Sequence, residues 1–157
     1  MTPAIEILED NQTPHEVLRY DASQAHSHYG LDASEQLGIP PERVFKTLVA
    51  ETDAHELIVA LVPVSTRLHL KSLATAAGAK KVVIAYGAKV EKTTGYVLGG
   101  VSPLGQKKAL RTFINDSARG FATIYVSGGR RGLEIALAAD ALAELLDARF
   151  AVIAEAI

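Results

Sequence analysis

The chain contains no cysteine and no tryptophan, and its aromatic residues are five tyrosines and four phenylalanines. Without cysteine it can form no disulfide, present no thiol nucleophile and bind no cysteine-ligated zinc. No aromatic stripe suited to base stacking is present, and no RNA-recognition motif of the RRM or KH type. The longest apolar run, Leu57 to Val64, is far too short to span a bilayer. The opening MTPAIEILEDNQ lacks the basic-then-apolar pattern of a secretory leader. A cytoplasmic protein with no membrane association is therefore expected. There are no internal repeats, low-complexity tracts or linkers.

Two familiar catalytic patterns also fail. Neither Ser102 nor Ser127 sits in a Gly-x-Ser-x-Gly elbow, which argues against a nucleophile-elbow hydrolase. The segment from Gly100 to Lys107 approaches a phosphate-binding loop, but Gln106 stands where the lysine belongs. No Ser or Thr follows, and Pro103 interrupts the segment. Among the five histidines only His26-x-His28 has a spacing worth noting, and that polar stretch reads as a surface loop rather than a metal site.

What is present is an ordinary globular composition. A chain of 157 residues with 48% hydrophobic and 22% charged residues is expected to form one domain over 1–157 with a single sizeable core. The net charge of −2 conceals an asymmetry. Between Arg67 and Arg131 lie twelve Lys/Arg and two acids, Glu91 and Asp116, a balance of +10. The remainder carries four Lys/Arg and sixteen acids, a balance of −12. Such a block can form a patch for a polyanion, or scatter over several faces once folded.

The order of elements is legible in outline. A helix is expected over Thr2 to Asp10, with Thr2 as N-cap and Pro3 in the first turn. A strand follows at His15 to Asp21, then a short helix at Asp32 to Leu37 stopped by Gly38. Val44 to Glu51 and Glu56 to Val64 form a hairpin around Thr52–His55. Leu70 to Ala77 is helical and ends at Gly78. Lys81 to Ala85 is a strand and Lys89 to Thr94 a helical turn. Tyr96 to Leu98, Thr112 to Asn115, Ala122 to Val126 and Gly132 to Leu137 are strand-like. Ala139 to Leu146 is the clearest helix, followed by a short apolar run. Short strands mixed with few helices predict a mixed α/β (α+β) domain, a curved mixed sheet flanked by helices.

Three segments carry candidate chemistry. In VFKTLV, Lys46 shares a strand face with Val44 and Leu48, so it either snorkels from an edge or faces a pocket. GYVLGGVSPLGQKK at 95–108 places Gly99, Gly100 and Ser102 before Lys107 and Lys108, a glycine turn followed by paired cations. IYVSGGRRGLEIAL at 124–137 ends a strand in Ser127 and follows it with a flexible loop bearing Arg130 and Arg131.

Together these motifs resemble the YbaK/EbsC family, and within it the bacterial Cys-tRNA(Pro) deacylases. These are free-standing relatives of the editing domain inserted in bacterial prolyl-tRNA synthetase. The resemblance runs from Tyr20 to the helix near Leu146. It implies an editing-domain fold and hydrolysis of a mischarged aminoacyl-tRNA, chiefly Cys-tRNA(Pro), with no metal, no cofactor and no enzyme nucleophile. The substrate's own thiol would attack its ester carbonyl. Lys46 matches the family's signature lysine and would hold the terminal ribose–phosphate or the aminoacyl group. Backbone N–H groups at Gly99 and Gly100 would polarise the ester carbonyl, and Ser127, Tyr20, Thr47 and Ser102 would position the substrate. Glu134 stands where the family has an aspartate, so it lines the pocket or pairs with Arg130 or Arg131. Lys107, Lys108, Arg111, Arg130 and Arg131 would contact tRNA phosphates, and prolyl-tRNA synthetase is a possible partner. The alternatives are the same fold editing Ala- or Ser-tRNA, and a non-catalytic tRNA- or synthetase-binding module.

Overall fold

The computed structural model describes residues 1–22 and 29–157; the His26-x-His28 pair lies outside the described residues. The chain runs α1 (Pro3–Asp10), β1 (Glu16–Arg19), α2 (Tyr29–Leu37), β2 (Phe45–Thr52), β3 (Leu57–Pro63), β4 (Thr66–Leu68) and α3 (Leu70–Ala77). It continues through β5 (Val82–Ile84), α4 (Gly87–Thr94), β6 (Arg111–Asn115), β7 (Ile124–Ser127), β8 (Leu133–Leu137), α5 (Ala139–Leu146), β9 (Arg149–Ala151) and β10 (Ala154–Ala156). The mixed α/β class is the one expected. No helix among the described residues is long and apolar enough to cross a membrane.

Local chemistry accounts for most boundaries. Thr2 caps α1, its hydroxyl accepting from Ile5 N–H, with Pro3 in the first turn where its missing donor costs nothing. Gly78 closes α3 and Gly95 closes α4, both in the left-handed region (φ 73° and 82°) that a Cβ disfavours. β3 is buried along nearly its whole length. Leu61 packs into the core cluster around Phe45, Ile114 and Ile135, while Ile58, Ala60 and Val62 pack beneath α3 against Leu73. A central strand covered on both faces explains why LIVALVPV reads as a continuous apolar run rather than an alternating one.

The strands form three groups: β5-β2-β3-β6-β9, β1-β8-β7, and the β4/β10 pair. In the large sheet β2 runs antiparallel to β3 and β5, whereas β6 is parallel to β3 and β9. β4 and the two C-terminal strands were not visible in the sequence, because each is three residues long and forms only by pairing with distant partners.

One strand expectation is corrected. Tyr96 to Leu98 is a reversal, not a strand. It is bounded by Gly95 and Gly99, both with positive φ, and Gly100 N–H donates to the Val97 carbonyl at 2.9 Å. The β-prone side chains yield to two left-handed glycines. Tyr96 is buried and donates its hydroxyl to the Leu104 carbonyl at 2.6 Å. Its ring lies where a Cβ on Gly129 would be, only 2.8 Å away, so it ties the two glycine-rich loops together.

Gly100 seals that junction. A Cβ there would stand 2.6 Å from Arg130 Cα and 3.0 Å from the next backbone atoms, none of which can swing aside. Gly100→Ala is expected to lower stability by about 1–3 kcal/mol through overpacking. Urea unfolding checks this, and an unchanged midpoint would contradict it.

Candidate active site

β2 has β3 along one edge and two different neighbours along the other. At its start, Val44 bridges Tyr125 of β7. Arg43 fixes this end: its guanidinium donates to the Thr123 carbonyl (3.0 and 3.2 Å) and hydroxyl (2.6 Å) and lies 5.2 Å over the Tyr125 ring. From Val49 onward β5 takes over, with Ala85 N–H donating to the Val49 carbonyl at 3.0 Å and Ala50 opposite Ile84. Between these attachments Lys46 to Leu48 have no strand neighbour on that edge among the described residues. Alternation along the strand turns the backbone N–H and C=O of Thr47 to the same side as those of Val49, toward the gap. A cavity of about 690 Å³ occupies it.

The small sheet supplies a second wall. Glu134 of β8 stands opposite Ser127 of β7 on one side and Leu18 of β1 on the other. Tyr20 continues β1, its N–H donating to the Gly132 carbonyl at 3.0 Å. Three strands thus bring Tyr20, Ser127 and Glu134 together, and β2 presents Lys46 and Thr47. Gly99 and Arg130 reach the same cavity from the two loops. Seven of the expected residues converge there. The remaining lining is apolar, including Leu31, Val44, Phe45, Val64 and Val101.

The polar groups of this cavity are under tension. Glu134 is 6% exposed, its Oε2 has no hydrogen-bond partner among the described residues, and burial pushes its carboxyl pKa up to about 8. The expected alternative, an ion pair from Glu134 to Arg130 or Arg131, does not form. Thr47 Oγ1 is also buried without a partner among the described residues. A buried polar atom left unpaired costs about 1–3 kcal/mol, so both mark positions where polar atoms of a ligand would fit. Lys46 is half-buried, and its Nζ donates to the Thr66 carbonyl at 2.7 Å; burial lowers its pKa. The Tyr20 phenol is raised, first by burial. Thr66 had no signal in the sequence, because its contact with Lys46 depends on how the β3–β4 connection folds back.

Other expected site residues are placed differently. Gly100 N–H is engaged by Val97, and the residue is buried against the 130–131 backbone, so it cannot polarise a ligand carbonyl. Ser102 is fully buried, and its hydroxyl accepts from Leu104 N–H at 3.2 Å inside the turn, away from the cavity. Arg131 does not line the cavity either. Lys107, Lys108 and Arg111 line a separate groove. Arg111 is held there by Glu56 through two 2.8 Å contacts and donates to the Ala77 carbonyl. The basic block is therefore not one surface around Lys46. Arg67 pairs with Glu155 and Arg119 with Asp116, and of the twelve cations only Arg130 reaches the cavity.

The Glu134 carboxyl gives a pH signature. Its folded pKa lies above the ordinary carboxylate value, so its contribution to stability is fully present below the unfolded pKa. That contribution is lost as pH rises through about 8. The melting temperature of wild type minus that of Glu134→Gln should therefore fall between pH 5 and pH 8. A flat or rising difference would contradict the burial argument.

The fold agrees with that of similar proteins. Residues 28–145 match the family model of the aminoacyl-tRNA editing domain. Over 151 residues the chain is 37% identical to a protein of Enterococcus faecalis named "Putative Cys-tRNA(Pro)/Cys-tRNA(Cys) deacylase EbsC", covering 96% of this chain and 91% of that one. A crystal structure of a hypothetical protein superposes with a TM-score of 0.87 at 23% identity, covering 98% of this chain and all of the other. Another, of "a putative trans-editing enzyme for prolyl tRNA synthetase", does so with a TM-score of 0.83 at 21% identity over 99% of both chains. The extent of the family match, together with the full-length relative, means that the chain belongs to the aminoacyl-tRNA editing domain family.

Proposed function

We propose that this chain is a trans-editing aminoacyl-tRNA deacylase that releases cysteine from mischarged Cys-tRNA(Pro). The observation that carries the reading is one apolar-walled cavity holding a half-buried lysine, a buried carboxyl oxygen and a hydroxyl, the last two without a partner among the described residues. The name of the Enterococcus faecalis relative supports the same substrate. Editing of this kind is required because a synthetase pocket separates similar small side chains by only about 1–3 kcal/mol.

Each group then has a task. Lys46 keeps one N–H on Thr66 and has two more for the terminal ribose–phosphate or the aminoacyl group. A substrate ammonium arriving beside Glu134 Oε2 favours the carboxylate, reversing the effect of burial. Gly99 N–H and the gap-facing Thr47 N–H are the donors available to a developing oxyanion. Tyr20 and Ser127 position the aminoacyl moiety. The cysteine thiol supplies the nucleophile: its sulfur bonds to the ester carbonyl carbon, the ester C–O bond breaks, the ribose oxygen leaves with the thiol proton, and water then opens the resulting β-thiolactone to free cysteine. Intramolecular attack of this sort gains effective molarities of about 10⁵ M or more when well oriented. The protein contributes orientation and charge stabilisation. Selection of tRNA(Pro) would come from a complex with prolyl-tRNA synthetase.

Incubation of trace protein with Cys-, Ala- and Ser-tRNA(Pro) tests the reading. Release of cysteine well ahead of alanine and serine is expected. Equal rates, or no cysteine release, would overturn it in favour of another substrate or a binding role. Lys46→Ala should slow cysteine release by roughly 10²-fold or more, as loss of an electrostatic contact in the transition state does. Unchanged turnover would remove Lys46 from the machinery.

A further inference from the structure

Helix α4 separates the cavity from a second concavity. Val90 faces the cavity, while Lys89, Lys92 and Thr93 face a groove of about 710 Å³. An α-helix is about 10–12 Å across, so the two sites lie back to back over one helix. Lys107, Lys108 and Arg111 line the groove's other side, with His55 and Glu56. Lys107 is pinned to the end of α4: its N–H donates to the Thr94 carbonyl at 3.0 Å, and its stem packs on Gly95. The groove thus gathers five cations against one lining acid, and Glu56 is already committed to Arg111. Lys89 reaches Glu51 at 2.9 Å. Lys92, Lys107 and Lys108 are exposed and form no ion pair among the described residues. Three like charges left together on one rim favour a bound polyanion.

The cavity mouth at the start of α4 is apolar. Tyr86, the residue before the helix, is 79% exposed, Val97 is 72% exposed, and Ile84 and Leu98, which both line the cavity, are about half exposed. Leu98 packs directly on Gly87, the residue after Tyr86, so exposed apolar side chains flank the start of α4. An exposed aromatic among aliphatics, at the start of a helix whose groove side meets unpaired cations, is the composition of a single-strand nucleic-acid platform.

We propose that α4 carries the path of the tRNA 3′ strand. The terminal base stacks on Tyr86 at the cavity mouth, and the preceding phosphates cross the helix to Lys92, Lys107 and Lys108. The proposal rests on the deacylase reading for what enters the cavity, but its test does not. A short single-stranded RNA ending in CCA, uncharged, is titrated with each variant by fluorescence anisotropy over a range of salt. For Lys92→Gln/Lys107→Gln/Lys108→Gln the slope of log affinity against log salt should shrink by about 2, at roughly 0.7 per lost single-strand phosphate contact. Tyr86→Ala should weaken binding by about 5-fold or more, and Tyr86→Phe should bind as wild type does. The control Lys71→Gln/Lys80→Gln/Arg149→Gln removes equal charge elsewhere and should keep the slope. The path is overturned if groove and control variants shift alike, if Tyr86→Ala binds as wild type does, or if Tyr86→Phe loses as much as Tyr86→Ala. It is also overturned if polyglutamate binds the groove more tightly than the RNA. A protein that binds RNA as described but releases no amino acid would sink the deacylase reading and leave the path standing.

Discussion

The site exists because β2 is held by two different strands along one edge. Val44 is bridged to Tyr125 at one end, and Val49 and Ala50 are paired with β5 at the other. Were either neighbour to run the full length of β2, its ladder would close the gap at Lys46 to Leu48, and no cavity would remain. Arg43 enforces the division by gripping Thr123 and the Tyr125 ring, which brings the small sheet against the start of β2 and no further. The glycine loops then fill in behind. Gly100 lets the 99–100 turn touch the Arg130 backbone, and Gly129 makes room for Tyr96.

This construction dictates the electrostatics. An unpaired strand edge between two sheets has aliphatic surroundings, so ionisable groups brought there are stripped of water. Lys46 and Glu134 respond in the expected opposite directions, one lowered and the other raised. Neither has a charged partner among the described residues: Lys46 leans on a carbonyl, and Glu134 leaves an oxygen unused. A site with both charges already paired would be more stable and less receptive. Under the deacylase reading proposed above, the compensating charges would come from a ligand that carries an ammonium at one end and phosphate at the other.

Much of the fold was legible because helix ends and hairpins are written locally. α3 and α5 match their expected spans, and Thr2, Gly78 and the Thr52–His55 turn act where their chemistry predicts. Lys46 could be singled out because a lysine among apolar strand residues is an anomaly. What the sequence could not show depends on distant pairing. The alignment of Glu134 with Ser127, the hold of Thr66 on Lys46 and the three-residue strands β9 and β10 are all of this kind. The glycine segment misled in a specific way. Glycine permits both close approach to a ligand and close packing of backbone, and the sequence does not distinguish them. Gly99 faces the cavity, whereas Gly100 and Ser102 belong to the packing. The linear basic block was equally ambiguous, dividing between ion pairs, a groove behind α4 and a single arginine at the cavity.

The central claim is that Glu134 waits uncharged in the cavity for a substrate ammonium. Carbon-13 NMR of the labelled Glu134 carboxyl measures this directly, titrated without and with a non-hydrolysable 3′-cysteinylamido-adenosine. The free protein should titrate near 8, and the bound form lower, because the ammonium favours the carboxylate. A carboxyl that titrates in the ordinary range when free, or that does not move on binding, would contradict the account.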